Sequence, residues 1–226
     1  MRTEVEVEVK VTALVCPRCG KGLDGLRYDR LFTCAPCATA LLVEDGATRE
    51  FPFTRARAAA GSAPEGRLLW MPLWELETEV TVGEPRGRAA PLVGVAAAME
   101  RVWVAGFAVR RPELFGEPGA HLTEIGARLE PAAEDGEPAR LVGCCRGPDL
   151  IARYARLTVL RILDRRVDVT GIDIDVRMHR CGLWAVPFDD RGERLVDRAT
   201  GASLPAAAFE DLAEIRAATR RPSGTS

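Results

Sequence analysis

Cysteine placement constrains this chain more than any other feature. Cys16-Pro-Arg-Cys19 and Cys34-Ala-Pro-Cys37 form a C-x2-C-x14-C-x2-C pattern. Four thiolates supply a complete tetrahedral shell for one Zn2+, and the i, i+3 spacing lets each pair clamp the ion from a single tight turn. Any fold of residues 14–43 must therefore bring two turns face to face. Gly20 follows the first pair, where a positive φ is wanted and glycine adopts it freely. Disulfides are the weaker reading. The start, MRTEVEVEVKV, alternates acids with valines and lacks the apolar stretch of a secretion signal. Iron is the rival metal, because the same four-thiolate shell accepts it.

Cys16, Cys19, Gly20, Cys34 and Cys37 together resemble the zinc ribbon family, in which two cysteine knuckles sit at the tips of β-hairpins. The likeness covers about residues 14–43, and residue 38 is Ala where many ribbons have glycine. It implies one structural Zn2+ per chain, with no open position for water and hence no metal catalysis. Ribbons occur in transcription, translation and replication factors, and equally as docking or rigidifying modules in larger assemblies. With iron in place of zinc, the resemblance is to a rubredoxin-like electron carrier.

Charge and composition narrow the remaining classes. Lys+Arg 31 against Asp+Glu 33 leaves a net charge of −2, without the basic surplus of a general polyanion binder. A hydrophobic fraction of 47% supports a real core, and no apolar run approaches the length of a membrane span. A cytoplasmic location is expected. The chain has no Asn or Gln, and its only lysines are Lys10 and Lys21, so nearly all positive charge is arginine. That bias fits a GC-rich, bacterial-type or heat-adapted background, and it lowers the weight of any arginine cluster. No P-loop, G-x-G-x-x-G or G-x-S-x-G motif is present. For want of a nucleophile–base pair, a hydrolase or transferase is the least supported class, and no small-molecule substrate is expected.

The pattern predicts an α+β chain: a β-rich N-terminal ribbon, then a mixed domain with mainly antiparallel strands. Residues 1–53 hold the strand 4–15 and the ribbon, 54–67 read as a linker, 68–220 as the α+β domain, and 221–226 as a tail. In LLWMPLWELETEVTV (68–82), Trp70, Pro72, Trp74, Leu76, Val80 and Val82 share one strand face, and Pro72 points to an edge or bulge. A helix is expected over 146–166, with Pro148 in its first turn and a buried stripe of Ile151, Tyr154, Ala155, Thr158 and Ile162. Strands 167–169 and 172–178 should join at a bulge by Gly171, and 182–188 and 193–197 should pair around DDRG. A closing helix over about 205–220 buries Phe209, Leu212 and Ile215.

Other residues are weaker candidates. Cys144, Cys145, His179 and Cys181 offer three thiols and an imidazole for a second metal site, although adjacent cysteines in a strand point to opposite faces. Asp173 and Asp175 form a D-x-D that alternates with isoleucines like a solvated strand face. Arg18, Lys21, Arg27 and Arg30 surround the knuckles with Tyr28 and Phe32 among them, a pattern that suits phosphate contact and base stacking. Glu4, Glu6 and Glu8 lead into the same module and would repel phosphates. The sequence therefore favours an accessory or adaptor subunit that contacts other proteins. A nucleic-acid-associated ribbon factor is the alternative, and an iron electron-transfer module comes third.

Overall fold

The structure, a computed structural model, describes residues 14–219 except 24, 35, 38, 45–46, 60–65, 85, 113–116, 134–138 and 142. Residues 4–13 of the strand expected over 4–15, the Ala38 departure and the tail lie outside the described residues. The fold is α+β. Three short antiparallel strands, β1 (Leu31–Cys34), β2 (Thr39–Glu44) and β3 (Ala47–Phe51), make the ribbon sheet in that order. The larger sheet runs β6-β5-β7-β8-β9, from β5 (Arg67–Val82), β6 (Arg101–Ala105), β7 (Ile174–Asp190), β8 (Arg194–Asp197) and β9 (Ser203–Pro205). Among the described strands its ladders are antiparallel, except that the short β4 (Phe53–Arg55) lies parallel to β7.

β5 shows how the sequence sets burial. Its first half, LLWMPLW, is an almost unbroken apolar run, and there both faces are covered. Leu69, Met71 and Leu73 face one core with Trp103, Phe107, Leu122, Phe188 and Phe209. Trp74, Leu76 and Val80 face the other, against α1 (Leu92–Ala97) and α3 (Pro148–Asp164). In the second half Glu77 and Glu79 alternate with buried neighbours, and that face opens to solvent. Pro72 is expected at an edge, yet β5 is flanked by β6 and β7. The two facts reconcile locally: β6 ends at Ala105, and only the Pro72 carbonyl is used on that side, accepting from Gly106 N at 2.9 Å. The missing donor thus falls where the neighbouring strand has run out.

α3 begins with Pro148 at its first position and Asp149 in its first turn, and it buries Ile151, Ala155, Thr158, Val159, Ile162 and Leu163. The short α2 (Pro118–Glu124) closes the outer edge of β6, where Thr123 Oγ1 accepts from Trp103 N at 2.9 Å. Close approach there depends on Gly119: a Cβ would lie 2.3 Å from Trp103 O and 2.7 Å from Val104 Cα. Backbone cannot yield as a side-chain tip can, so Gly119→Ala should cost about 2–3 kcal/mol by overpacking. The urea midpoint is the readout, and an unchanged midpoint would contradict the packing described.

Three expectations are corrected by the structure. The stretch 54–67 is not a linker throughout, because β4 occupies Phe53–Arg55 and Ala56 is buried, its N–H bonded to Ala185 O at 2.8 Å. Residues 167–173 form a turn, not a strand, with Gly171 at φ +74°, and β7 is one strand of 17 residues. The last helix, α4, covers only Leu212–Ala218, because Phe209 is extended and bridges to Val109. The ribbon is tied directly to the larger sheet. Cys144 O accepts from Arg30 N at 2.7 Å, Thr33 Oγ1 donates to Leu141 O at 2.8 Å, and the Phe51 ring meets Trp74 edge-on at 5.4 Å. Leu31, Ala40 and Leu42 join the same core as α3.

Candidate metal centre

The first knuckle is closed by its own backbone. Val15 bridges to Gly22, Cys16 N donates to Lys21 O at 2.8 Å, and Gly20 N donates to Cys16 O at 2.8 Å. Gly20 sits at φ +70°, a left-handed turn that a side chain would strain. The second knuckle is the β1–β2 turn: Cys34 ends β1 opposite Thr39, and Thr39 Oγ1 donates to Cys37 O at 3.1 Å. Facing one another, the two turns gather four Sγ atoms within 4.8 Å. Cys19 and Cys34 are 3.6 Å apart, Cys16 and Cys37 3.9 Å. A tetrahedral shell with metal–sulfur bonds of about 2.3 Å has edges of about 3.8 Å, so these separations are those of a metal site. They are far beyond the roughly 2.05 Å of a disulfide, and all seven cysteines are free.

The surroundings prepare the sulfurs for a cation. Cys16 and Cys34 are buried with Leu41 behind them, while Cys19 is exposed. Burial works against a Cys16 thiolate, but the N–H groups of Cys19 and Arg18, with the neighbouring thiols, outweigh it and hold its pKa at about 7. For Cys34, burial dominates and pushes the pKa up to about 12, despite an N–H from Cys37. A buried thiolate there needs positive charge beside it, and a four-thiolate metal supplies that.

Among the described residues this is the one group with metal-ligand geometry. Cys144, Cys145, His179 and Cys181 are not brought together. Cys144 is buried with its thiol 3.9 Å from Arg146 O, and the Cys145 thiol is 3.6 Å from Gly106 O. Cys181 and His179 are exposed on β7, with His179 3.9 Å from Glu79. Burial raises the pKa of all three thiols, so they are neutral apolar groups. Asp175 pairs with Arg177 at 3.2 Å, as a solvated strand face does.

The four cations by the knuckles have different fates. Arg18 makes a two-point contact with Glu50 at 2.6 and 2.8 Å, and Arg30 approaches Asp149 at 3.6 Å. Arg27 lies over the ring of Tyr28 at 5.4 Å, and Lys21 is exposed on the first knuckle.

Four acids are buried among the described residues, Asp29, Glu117, Asp189 and Asp197, and nothing local in the sequence marks them as buried. Glu117 meets Arg146 at 3.4 Å and accepts from Thr158 Oγ1 at 3.1 Å, while Arg146 also donates to Ala105 O at 2.8 Å and stacks on Tyr154. Beside Glu117 is a cavity of about 280 Å3, also lined by His121, Glu124, Arg165 and Asp197. Its carboxylates are all engaged: Glu124 by Arg165, and Asp197 by Thr200 Oγ1 and Ala199 N. Asp29 ties residues 26–30 to the segment before α3, accepting from Leu26 N at 2.8 Å and Gly143 N at 3.2 Å. Burial overrides these donors and raises its pKa from 3.8 to about 6.

Asp29 makes stability depend on pH. A folded-state pKa above the unfolded one means the stabilisation is complete below about pH 4 and is lost as pH rises through about 6. The loss should reach about 2–3 kcal/mol above pH 7. Asp29→Asn should abolish it, so the variant gains on the wild type between pH 4 and 8 in urea unfolding. Parallel pH curves for the two proteins would refute the assignment. No family model, no curated protein and no solved structure matches this chain, so the four-sulfur geometry itself identifies the site.

Proposed function

We propose that the chain is a non-catalytic, zinc-binding accessory subunit of the cytoplasm whose ribbon docks onto other proteins. The observation that carries the reading is a closed four-sulfur centre stiffening a corner that presents Tyr28, 68% exposed, with Arg27 over its ring. An aromatic ring and an arginine held ready on a rigid surface are the residue types that dominate protein–protein contacts. Four sulfur ligands leave the metal no open position, so its role is to hold the knuckles. Charge favours protein over nucleic acid as the partner, since carboxylates neutralise Arg18 and Arg30.

The test is purification of the tagged full-length chain from its native cells at low salt, beside an Arg27→Ala/Tyr28→Ala variant. The expected result is a stoichiometric set of protein subunits that the variant loses while its metal content stays the same. Nucleic acid that elutes as salt is raised would replace this reading with the nucleic-acid one.

A further inference from the structure

α3 carries apolar side chains on two sides. Its inner stripe, with Ile151, Ala155, Val159 and Ile162, is buried in the core. On the opposite side Leu150, Arg153, Leu157, Leu160 and Arg161 recur at three- and four-residue intervals, which draws a second stripe along the outside of a helix with about 3.6 residues per turn. Leu157 at its centre is 51% exposed, and Leu150 and Leu160 are half-buried. A helix that only had to close a core would be polar along that side.

Arginines flank the leucines. Arg153 and Arg161 stand one turn before and one turn after Leu157, Arg156 stands one turn before Leu160, and Arg153 and Arg156 are exposed. The acids of the helix lie at its ends, where Asp149 approaches Arg30 at 3.6 Å and Asp164 Oδ1 accepts from Val169 N at 3.2 Å. The middle of the outer side is therefore cationic around a protruding leucine. It is also held firmly. Thr158 Oγ1 donates to Glu117 at 3.1 Å and Arg165 pairs with Glu124 of α2 at 3.0 Å, so the stripe needs little ordering on binding.

We infer that this stripe receives an amphipathic helix of a partner protein, one with leucine-like side chains along its contact face and carboxylates beside them. The spacing suits helix-on-helix packing, since leucines seven residues apart at 150 and 157 can fill the holes of a facing helix. Carboxylates beside that seam would meet Arg153 and Arg161. Other occupants fit worse. Packed antiparallel about Leu157, a second copy would set Arg153 against Arg161; packed parallel, it would set each arginine against itself. A lipid-binding basic cluster holds about four to eight cations, more than Arg153, Arg156 and Arg161 supply. Nucleic acid gains nothing from a leucine at the centre of the patch, and Asp149 and Asp164 at its ends repel phosphates. The surface belongs to α3 rather than to the ribbon, and the inference does not rest on the Arg27–Tyr28 contact.

The test measures binding of two labelled synthetic peptides to the metal-loaded full chain by fluorescence anisotropy. Both are three heptads long with leucine at a and d; one has glutamate at e and g, its twin lysine. The glutamate peptide should bind at least about tenfold more tightly than the lysine peptide, a comparison that needs no variant. Leu157→Glu should weaken it by a similar factor, and Arg153→Glu/Arg161→Glu should reverse the preference between the peptides. The substituted side chains are exposed or half-exposed, so urea midpoints should match the wild type. Equal affinities for the two peptides, or binding indifferent to Leu157→Glu, would overturn the inference. So would a dimer, or retention on phosphatidylglycerol vesicles or duplex DNA, that Leu157→Glu abolishes, because a second copy, a lipid surface or a nucleic acid would then occupy the stripe.

Discussion

Cys34→Ser should reduce bound metal from one ion per chain to near zero, with local rather than global unfolding. Serine is not ionised at neutral pH and cannot replace a thiolate ligand, and three sulfurs with an open position hold zinc far more weakly than four. Folding and metal binding are linked, with about 10–16 kcal/mol of binding free energy at stake in isolated zinc-finger peptides. In this chain the consequences are confined by architecture. Among the described residues the knuckles have Leu23, Leu41 and cysteines as their core, whereas Leu31, Ala40 and Leu42 are anchored beside α3. Amides of the knuckles should therefore lose protection, while those of β5 and β7 keep it. Acid should act in the same direction: protons compete for the thiolates, and the Cys34 thiol, at about 12 without a cation, takes one readily. A Cys34→Ser chain that kept its metal and its knuckle protection would overturn the assignment.

Arg146→Ala should be the most damaging single change outside the ribbon. The guanidinium is 12% exposed and its partner Glu117 is 6% exposed. Removing it leaves the Glu117 carboxylate buried with Thr158 Oγ1 as its donor among the described residues, strips a donor from Ala105 O, and uncovers the Tyr154 ring. Breaking a buried pair from one side costs about 3–5 kcal/mol, a large share of the roughly 5–15 kcal/mol that holds a domain together. Glu117→Gln is the informative companion. Its amide oxygen still accepts a hydrogen bond, so a loss of about 1–2 kcal/mol is expected. If both variants unfolded at the wild-type urea concentration, the pair would have no structural role.

What the sequence reveals of this fold tracks the range of the forces involved. The unbroken apolar run of β5, and Pro148 with Asp149 at the start of α3, are local signals, and both elements form where those signals place them. β4, Phe-Thr-Arg, is three residues long, and among the described strands it pairs with one some 130 positions away, so Thr54 and Arg55 look like linker until Leu183–Ala185 stand beside them. The single 17-residue β7 is masked by DVRMHRCG, whose residues are mostly exposed and whose partner β5 supplies the order. Phe209 is buried as expected, but as a strand-like bridge to Val109, which pre-empts the start of the last helix.

The four-cysteine centre is legible for the opposite reason. Its spacing encodes both turns, so four residues read from sequence come together in space with the geometry to hold a metal ion. The same logic fails for Cys144, Cys145, His179 and Cys181, where no turn brings the residues together. Asp29 and Glu117 carry no signal either, since one stands in a Tyr-Asp-Arg stretch and the other before a proline, and only tertiary packing buries them.

X-ray absorption at the metal edge of the native, untreated protein tests the central claim most directly. A structural ribbon predicts a zinc edge and a single shell of four sulfurs at about 2.3 Å. An iron edge, or a shell containing nitrogen or oxygen, would contradict it.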